Sequence, residues 1–430
     1  MRRLTVARAT AVAVAAALVL SGCGRGGDAG TSDGAAGGPA PAGQASGEIQ
    51  VWTAGGHADN LQKLALAWLE ANPEASLTVT DVPWDQVITK LQTATAAGKG
   101  PDIIMTGADQ TATAIGMGAF DELPGGVYDD SDFYPAAVDS VTGDKDVLYA
   151  MPWYVETRFL FYRKDIASQL GLSAPTTWEE MQKMAAAFES RPGGTYGLSL
   201  PRPTEQPAQV IVPFVAQAGG SMTDGKQWTI DTKEFISALD YYAGYFTRGE
   251  APIEASTDAT FENGGTPMFI SGPWMLDIYK DQIEKGTAPA GFTMDSVGYA
   301  VAPKGPAGNG DQYIGGGNLG VFSASKNKAS AWSLVSWMGK TQQQEGWYDL
   351  QGELPANTGA AGYQPIQDNP VTSTLMQQMN DTVATPNYPT WSQVSDLISK
   401  YSEMVARGTM SAADAAKEIQ TKATAIGFGW

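Results

Sequence analysis

The chain has 430 residues and a net charge of −19. That acidity argues against nucleic acid, whose phosphates demand basic surface. With one cysteine and one histidine, an intrachain disulfide and a cysteine-ligated metal are excluded, and a histidine-based zinc site or Ser-His-Asp triad would have to be built around His57.

In chain order, Arg2, Arg3 and Arg8 precede a short apolar run, Ala9 to Leu20, and then Leu20-Ser21-Gly22-Cys23. A positive start, an apolar centre and small residues before a cut form the pattern of a secretion signal. Ending on cysteine, it resembles the lipobox of bacterial lipoproteins. That implies a signal peptide at 1–22, lipid attachment at Cys23 and a body outside the cytoplasm. The apolar run is too short for the ~20 residues of a membrane-spanning helix. Losing the three leader arginines takes the charge to about −22, which suits a body held off an anionic envelope. Residues 24–47 are nearly all Gly, Ala, Pro, Ser, Thr, Asp and Gln, so 23–47 reads as a lipidated cysteine and flexible tether.

Alternation over Glu48–Trp52 predicts a strand, and Leu61, Leu64, Ala65 and Trp68 predict one face of a helix ended by Asn72-Pro73. A strand is predicted at Leu77–Thr80, a helix over Asp85–Ala97 closed by Gly98, and a buried strand of the parallel kind at Pro101–Met105. This alternation implies an α/β sheet with right-handed crossovers. Further strands are predicted at Leu160–Tyr162, Met268–Ile270 and Val297–Val301. Thr177 and Glu180 form the pattern of a capping box, and the chain reads mainly helical from Asp396. A hydrophobic fraction of 43% and 12 tryptophans can fill a core; the length predicts two domains. Gly315-x-Gly317-x-x-Gly320 matches a dinucleotide fingerprint as a string, but strand-like Val321-Phe322-Ser323 follows where a helix is required.

Several blocks together resemble a known family: Gly98-Lys99-Gly100-Pro101-Asp102-Ile103-Ile104 with Asp109, Tyr149 to Glu156 leading into Phe161-Tyr162-Arg163-Lys164-Asp165, Pro175 to Glu180, and Met268 to Trp274. Ser325 to Trp332, Gly352-Glu353-Leu354-Pro355-Ala356 and Pro386-Asn387-Tyr388-Pro389 follow. In this order they resemble the sugar-binding proteins of bacterial ABC importers, the maltose-binding-protein-like family. Pro152 to Arg158 is similar to the α-glucoside binders of Gram-positive bacteria. The resemblance implies a two-lobed α/β periplasmic-binding-protein-like fold with a ligand cleft between lobes joined by three hinge crossings. One lobe would be 48–154 plus 317–352, the other 159–313 plus 358–430. Crossings would fall near 155–158, 314–316 and 353–357, and glycines 315–317 suit a hinge.

The implied function is a non-catalytic, lipid-anchored receptor on the Gram-positive cell surface. It would close on a mono- or oligosaccharide and deliver it to the permease subunits, as a monomer without cofactor or metal. Maltose or trehalose leads among the sugars, with a galactose-type monosaccharide open. A sugar needs carboxylates and amides for its hydroxyls and aromatic rings for its apolar faces. By resemblance Asp109 and Glu156 are cleft carboxylates and Trp274 is a stacking ring. Helix capping for Asp109, pairing with Arg158 for Glu156 and core packing for Trp274 are the alternatives. His57, following Gly55-Gly56, stands where maltose-binding protein carries an acidic–basic pair, and a structural role is equally open to it. Trp153, Arg158, Gly317, Asn318, Asn387 and Trp391 complete the candidate set, while Trp84, Trp228 and Trp347 are assigned to core or surface. The rival reading is a secreted glycoside hydrolase using Asp109 and Glu156, a carboxylate pair that needs a separation of about 5–9.5 Å.

Overall fold

The computed structural model describes residues 44–254 and 260–430. The expected leader, Cys23 and most of the tether lie outside the described residues. Within the tether range Ala45 is already buried, its amide donating to Asn72 Oδ1.

Ten strands form two sheets among the described residues: β1 (Gly47–Thr53), β2 (Ala75–Asp81), β3 (Ile103–Gly107), β4 (Ala150–Thr157), β5 (Phe159–Arg163), β6 (Met268–Ser271), β7 (Val297–Ala300), β8 (Gln312–Val321), β9 (Leu354–Pro355) and β10 (Thr382–Val383). The large sheet has the order β2-β1-β3-β8-β4-β9, with β10 beside the start of β8; the small sheet has the order β6-β5-β7. β1, β2 and β3 are parallel, joined through helices that pack on the sheet. β3 is parallel only to β1, because its other neighbour, β8, runs antiparallel.

The first crossover helix breaks at Ala65 into Ala58–Leu64 and Leu66–Ala71, which still buries Leu61, Ala65 and Trp68 together. Its N-terminus is capped from a distance: Asp81 at the end of β2 accepts from the amides of His57 and Ala58. At Thr177 the capping differs by one residue from the predicted box. Thr177 accepts from the Glu180 amide, but Glu180 Oε2 returns to the amide and hydroxyl of Thr176. The Gly315–Gly320 string lies wholly within strand β8.

Only Arg158 separates β4, in the large sheet, from β5, in the small one. Three segments lie side by side at this point. Val155 pairs with Gly316 of β8 and Leu354 of β9, and Tyr154 pairs with Gly317 and Pro355. The approach is close enough to demand glycine. Gly316 has φ +141°, and a Cβ there would lie 2.1 Å from the Tyr154 carbonyl oxygen. At Gly317 it would lie 2.3 Å from the Tyr154 ring.

Period-two alternation along β5 divides the core. Leu160 faces an apolar cluster with Phe188, Phe214, Tyr242 and Ile398, drawn from the surrounding helices. Phe159 and Phe161 face a second cluster with Phe261, Tyr279 and Phe292, which continues to Ile49, Val51 and Leu319 of the large sheet and to Trp332 of helix Lys328–Met338. Each fully buried aromatic or aliphatic side chain contributes about 1.5–3 kcal/mol of transfer free energy. The two lobes are thus held by packing as well as by strands.

Gly316→Ala combines an unfavourable φ with a backbone collision. It should destabilise the protein by at least about 2 kcal/mol in denaturant titration. A wild-type unfolding midpoint would show that the crossing tolerates a side chain.

Candidate functional site

Strand ends and crossings bring one group of polar and aromatic side chains together. Asp109 stands in the first turn of helix Ala108–Gly116, just past the carboxyl end of β3, where α/β sheets bind ligands. Glu156 is on β4 and Arg158 on the single-residue link to β5. Tyr313 is on β8, and Gln209 begins helix Ala208–Gln217. Trp274 opens helix Trp274–Glu284 after Gly272-Pro273, and is 37% exposed.

Arg158 organises these groups. Its guanidinium lies 5.4 Å from the Trp274 ring centroid and 5.3 Å from that of Tyr313. Nη2 donates to Gln209 Oε1 at 2.9 Å, and Gln209 Nε2 in turn donates to Asp109 Oδ2 at 3.4 Å. A cation between two ring faces gains from both quadrupoles, the more so out of water. This arrangement occupies the arginine, and the carboxylate of Glu156 has no hydrogen bond or ion pair with any described residue.

The electrostatic consequence is direct. Burial pushes the Glu156 carboxyl up to about 7; Glu353 and Asp109 push the same way, while Arg158 and His57 oppose. Burial also raises Asp109, against its hydrogen bond from Gln209 and the charge of Arg158. Two buried carboxyls thus share the field of an arginine that also faces an exposed indole, with acceptor capacity unused.

His57 belongs to a different contact set. It is 3% exposed, and Nε2 lies 3.0 Å from Glu353 Oε1, while Glu353 Oε2 accepts from Trp347 Nε1 at 2.9 Å. The imidazole meets Trp153, Tyr154 and Trp347 edge-on at 5.4–5.9 Å, and Trp153 is wholly buried against Trp347. His57 therefore ties the end of β1 to the segment entering β9.

Asn318 is buried and donates to Thr111 Oγ1 and Ser140 Oγ. Asn387 donates to the carbonyls of Asp139 and Thr142. Both line a cavity of about 30 Å³ with Tyr154 and Gly315, room for a water or two but not for a pyranose. Gly317 contributes backbone alone, in register with Tyr154. Trp391 is 4% exposed in the helical core, 6.1 Å from Trp228. Of the sequence-predicted residues the structure thus groups Asp109, Glu156, Arg158 and Trp274. His57 and Trp153 form a neighbouring buried set, and Asn318, Asn387 and Trp391 stand apart.

Tyr313, Gln209 and Glu353 join the site without having been singled out by sequence. Glu353 lay inside a recognised block. Gln209 carried no signal, since it reaches Arg158 only through the packing of its helix.

A family model described as bacterial extracellular solute-binding protein matches residues 63–374. This chain belongs to that family. It is 24% identical over 377 residues to the maltooligosaccharide ABC transporter solute-binding lipoprotein of Streptococcus pneumoniae, covering 81% of each chain. It is 25% identical over 362 residues to the galactooligosaccharide-binding protein of Bacillus subtilis, covering 81% of this chain and 82% of the relative. The GacH receptor of Streptomyces glaucescens, solved unliganded and with acarbose, superposes with a TM-score of 0.75 at 24% identity, covering 88% of this chain and 97% of that one. The fold is accordingly the two-lobed periplasmic-binding-protein frame. Family membership makes the protein a binding protein rather than an enzyme, so the hydrolase reading of Asp109 and Glu156 is set aside.

Glu156 keeps its proton to about pH 7 in the folded chain, against an ordinary value of 4.5. Between those values the folded state binds more protons than the unfolded, so this residue lowers stability as pH rises. Glu156→Gln should gain on wild type from about pH 4.5 to about pH 8, by about 3 kcal/mol at the upper end. A difference in unfolding free energy that stays flat with pH would contradict this.

Proposed function

We infer that this protein is the extracytoplasmic substrate-binding lipoprotein of an ABC sugar importer, and that the group around Arg158 is its sugar site. The observation that carries the reading is the pairing of an exposed, cation-backed indole, Trp274, with two carboxyls lacking strong partners, Asp109 and Glu156. A pyranose offers an apolar face to the first and hydroxyl donors to the second. Asp109 lies on the large-lobe side, and Gln209 and Trp274 on the small-sheet side. A ligand touching both favours the arrangement in which they approach, so rotation about the crossings couples binding to closure. The closed form is what a permease would recognise.

Asp109, Glu156, Arg158 and Trp274 make direct contact in this reading, with Tyr313 and Gln209 holding Arg158. His57 and Trp153 brace the third crossing, Asn318, Gly317 and Asn387 shape the neighbouring interface, and Trp391 packs a core. An α-glucoside leads as ligand, supported by the resemblance of Pro152 to Arg158 and by the maltooligosaccharide relative.

Thermal unfolding of the purified protein against mono-, di- and oligosaccharides tests this reading. A ligand at 100 times its Kd stabilises by about 2.7 kcal/mol. Trp274→Ala should weaken the best ligand at least about tenfold by calorimetry, equivalent to about 1.4 kcal/mol. Silence across the sugars, or unchanged affinity in the variant, would remove the sugar or the indole from the reading.

Lipid on Cys23 would hold the receptor at the membrane, since among the described residues no helix is long and apolar enough to cross one. Cys23→Ser should move the protein from the membrane to the soluble fraction. Continued membrane association would refute anchoring through this residue.

A further inference from the structure

The indole of Trp274 is already in use. A Cβ at Gly272 would collide with its Cζ3, Cη2 and Cε3, so the Gly272 backbone lies directly against the ring. The Arg158 guanidinium lies over the same ring and over that of Tyr313. A pyranose stacked on this indole therefore competes with the guanidinium for ring surface.

Arg158 is held only loosely in that seat. It makes one hydrogen bond to a neutral amide, Gln209 Oε1, and its buried Nε has no partner among the described residues. A charged acceptor stands close by. From Val155 to Phe159 burial alternates residue by residue, which puts Glu156 and Arg158 on one face of the chain. Of the charges that act on Glu156, Arg158 has the largest effect. The guanidinium thus has two coherent places: over the rings with Glu156 neutral, or against Glu156 with the carboxylate charged.

We propose that Arg158 is a displaceable plug in the sugar site: a ring stacking on Trp274 drives the guanidinium off both aromatic faces and onto the Glu156 carboxylate. The inference rests on the sugar-receptor reading and makes Arg158 the residue a ligand must displace. The exchange also frees Gln209 Oε1 to accept from a ligand hydroxyl.

A proton follows from it. Without ligand, burial keeps the Glu156 carboxyl protonated up to about pH 7. Pairing with the guanidinium favours the charged form, and the carboxyl proton passes to solvent. The liganded state then holds one proton fewer, so affinity rises with pH between about 4.5 and about 7. The other groups facing Glu156 are consistent with that sign. Glu353 and Asp109 favour its protonated form and His57 opposes them, while burial keeps the Tyr313 and Tyr154 hydroxyls neutral across this range.

The test is calorimetric titration of the full chain with maltose and with lactose, in buffers of low and high ionisation enthalpy. At about pH 6 wild type should release about one proton per ligand, and at about pH 8.5 almost none. Affinity should rise by up to about tenfold per pH unit between them. Glu156→Gln should release no proton. The side-chain protons of Arg158, shielded in the free chain by two aromatic ring currents, should lose that shielding in NMR spectra at saturation. Loss of their signals in Arg158→Lys assigns them. Saccharide binding without proton release, release undiminished in Glu156→Gln, or Arg158 signals still shielded at saturation would overturn the plug while leaving a sugar receptor. Absence of binding of either sugar by wild type would overturn both. Should Glu156→Gln fail to fold, the Arg158 signals of wild type still decide.

Discussion

The close approach of three chain segments at Tyr154 and Val155 is the constraint on which the molecule depends. β4 is flanked there by β8 and β9, so three segments distant in sequence share one narrow bundle. The backbones come so near that residues 315–317 have no room for side chains: a Cβ would strike Tyr313, the Tyr154 carbonyl or the Tyr154 ring. The same strands carry Glu156 and Tyr313, and Glu353 stands at the entry to β9. The polar groups of the site are therefore mounted on the segments that meet in this bundle. Under the proposed reading, movement of one lobe would change the spacing from Asp109 to Gln209 and so link ligand contact to closure.

Charge is distributed to keep that site unsatisfied. Arg158, the cation that acts most strongly on Glu156, is drawn between Trp274 and Tyr313 and bonded to a neutral amide. His57 is drawn the other way, toward Glu353. Glu156 is left with burial as its dominant influence, which is why its carboxyl titrates near neutrality. A buried polar group without a partner is costly, and under the proposed reading a ligand hydroxyl would relieve that cost.

Much of the framework was legible in the residues. The strand at Glu48–Trp52, the helix ending at Gly98 and the strand at Met268–Ile270 all appear close to their expected positions, because side-chain period and chain breakers act locally. Departures occur where a distant group intervenes. The predicted Thr177–Glu180 box closes on Thr176 instead, and the partner that turns β3 into a mixed strand is more than two hundred residues away, in β8. Trp391 shows the limit of reading a site from residue type: its indole lies in the helical core beside Trp228.

The sequence by itself determined the α/β alternation, the glycine run at 315–317, the acidic character and the carboxylates flanking Arg158, since each follows from residues that are neighbours along the chain. Only the tertiary structure decided which of those groups meet. Gln209 reaches Arg158 from 51 positions away and Asp109 from 100, and the orientation of Trp84 over Gly55 and Gly107 joins three separate segments. Local pattern records what a segment can form. Which side chain stays unpaired depends on the packing of elements whose order along the chain says nothing of their distance in space.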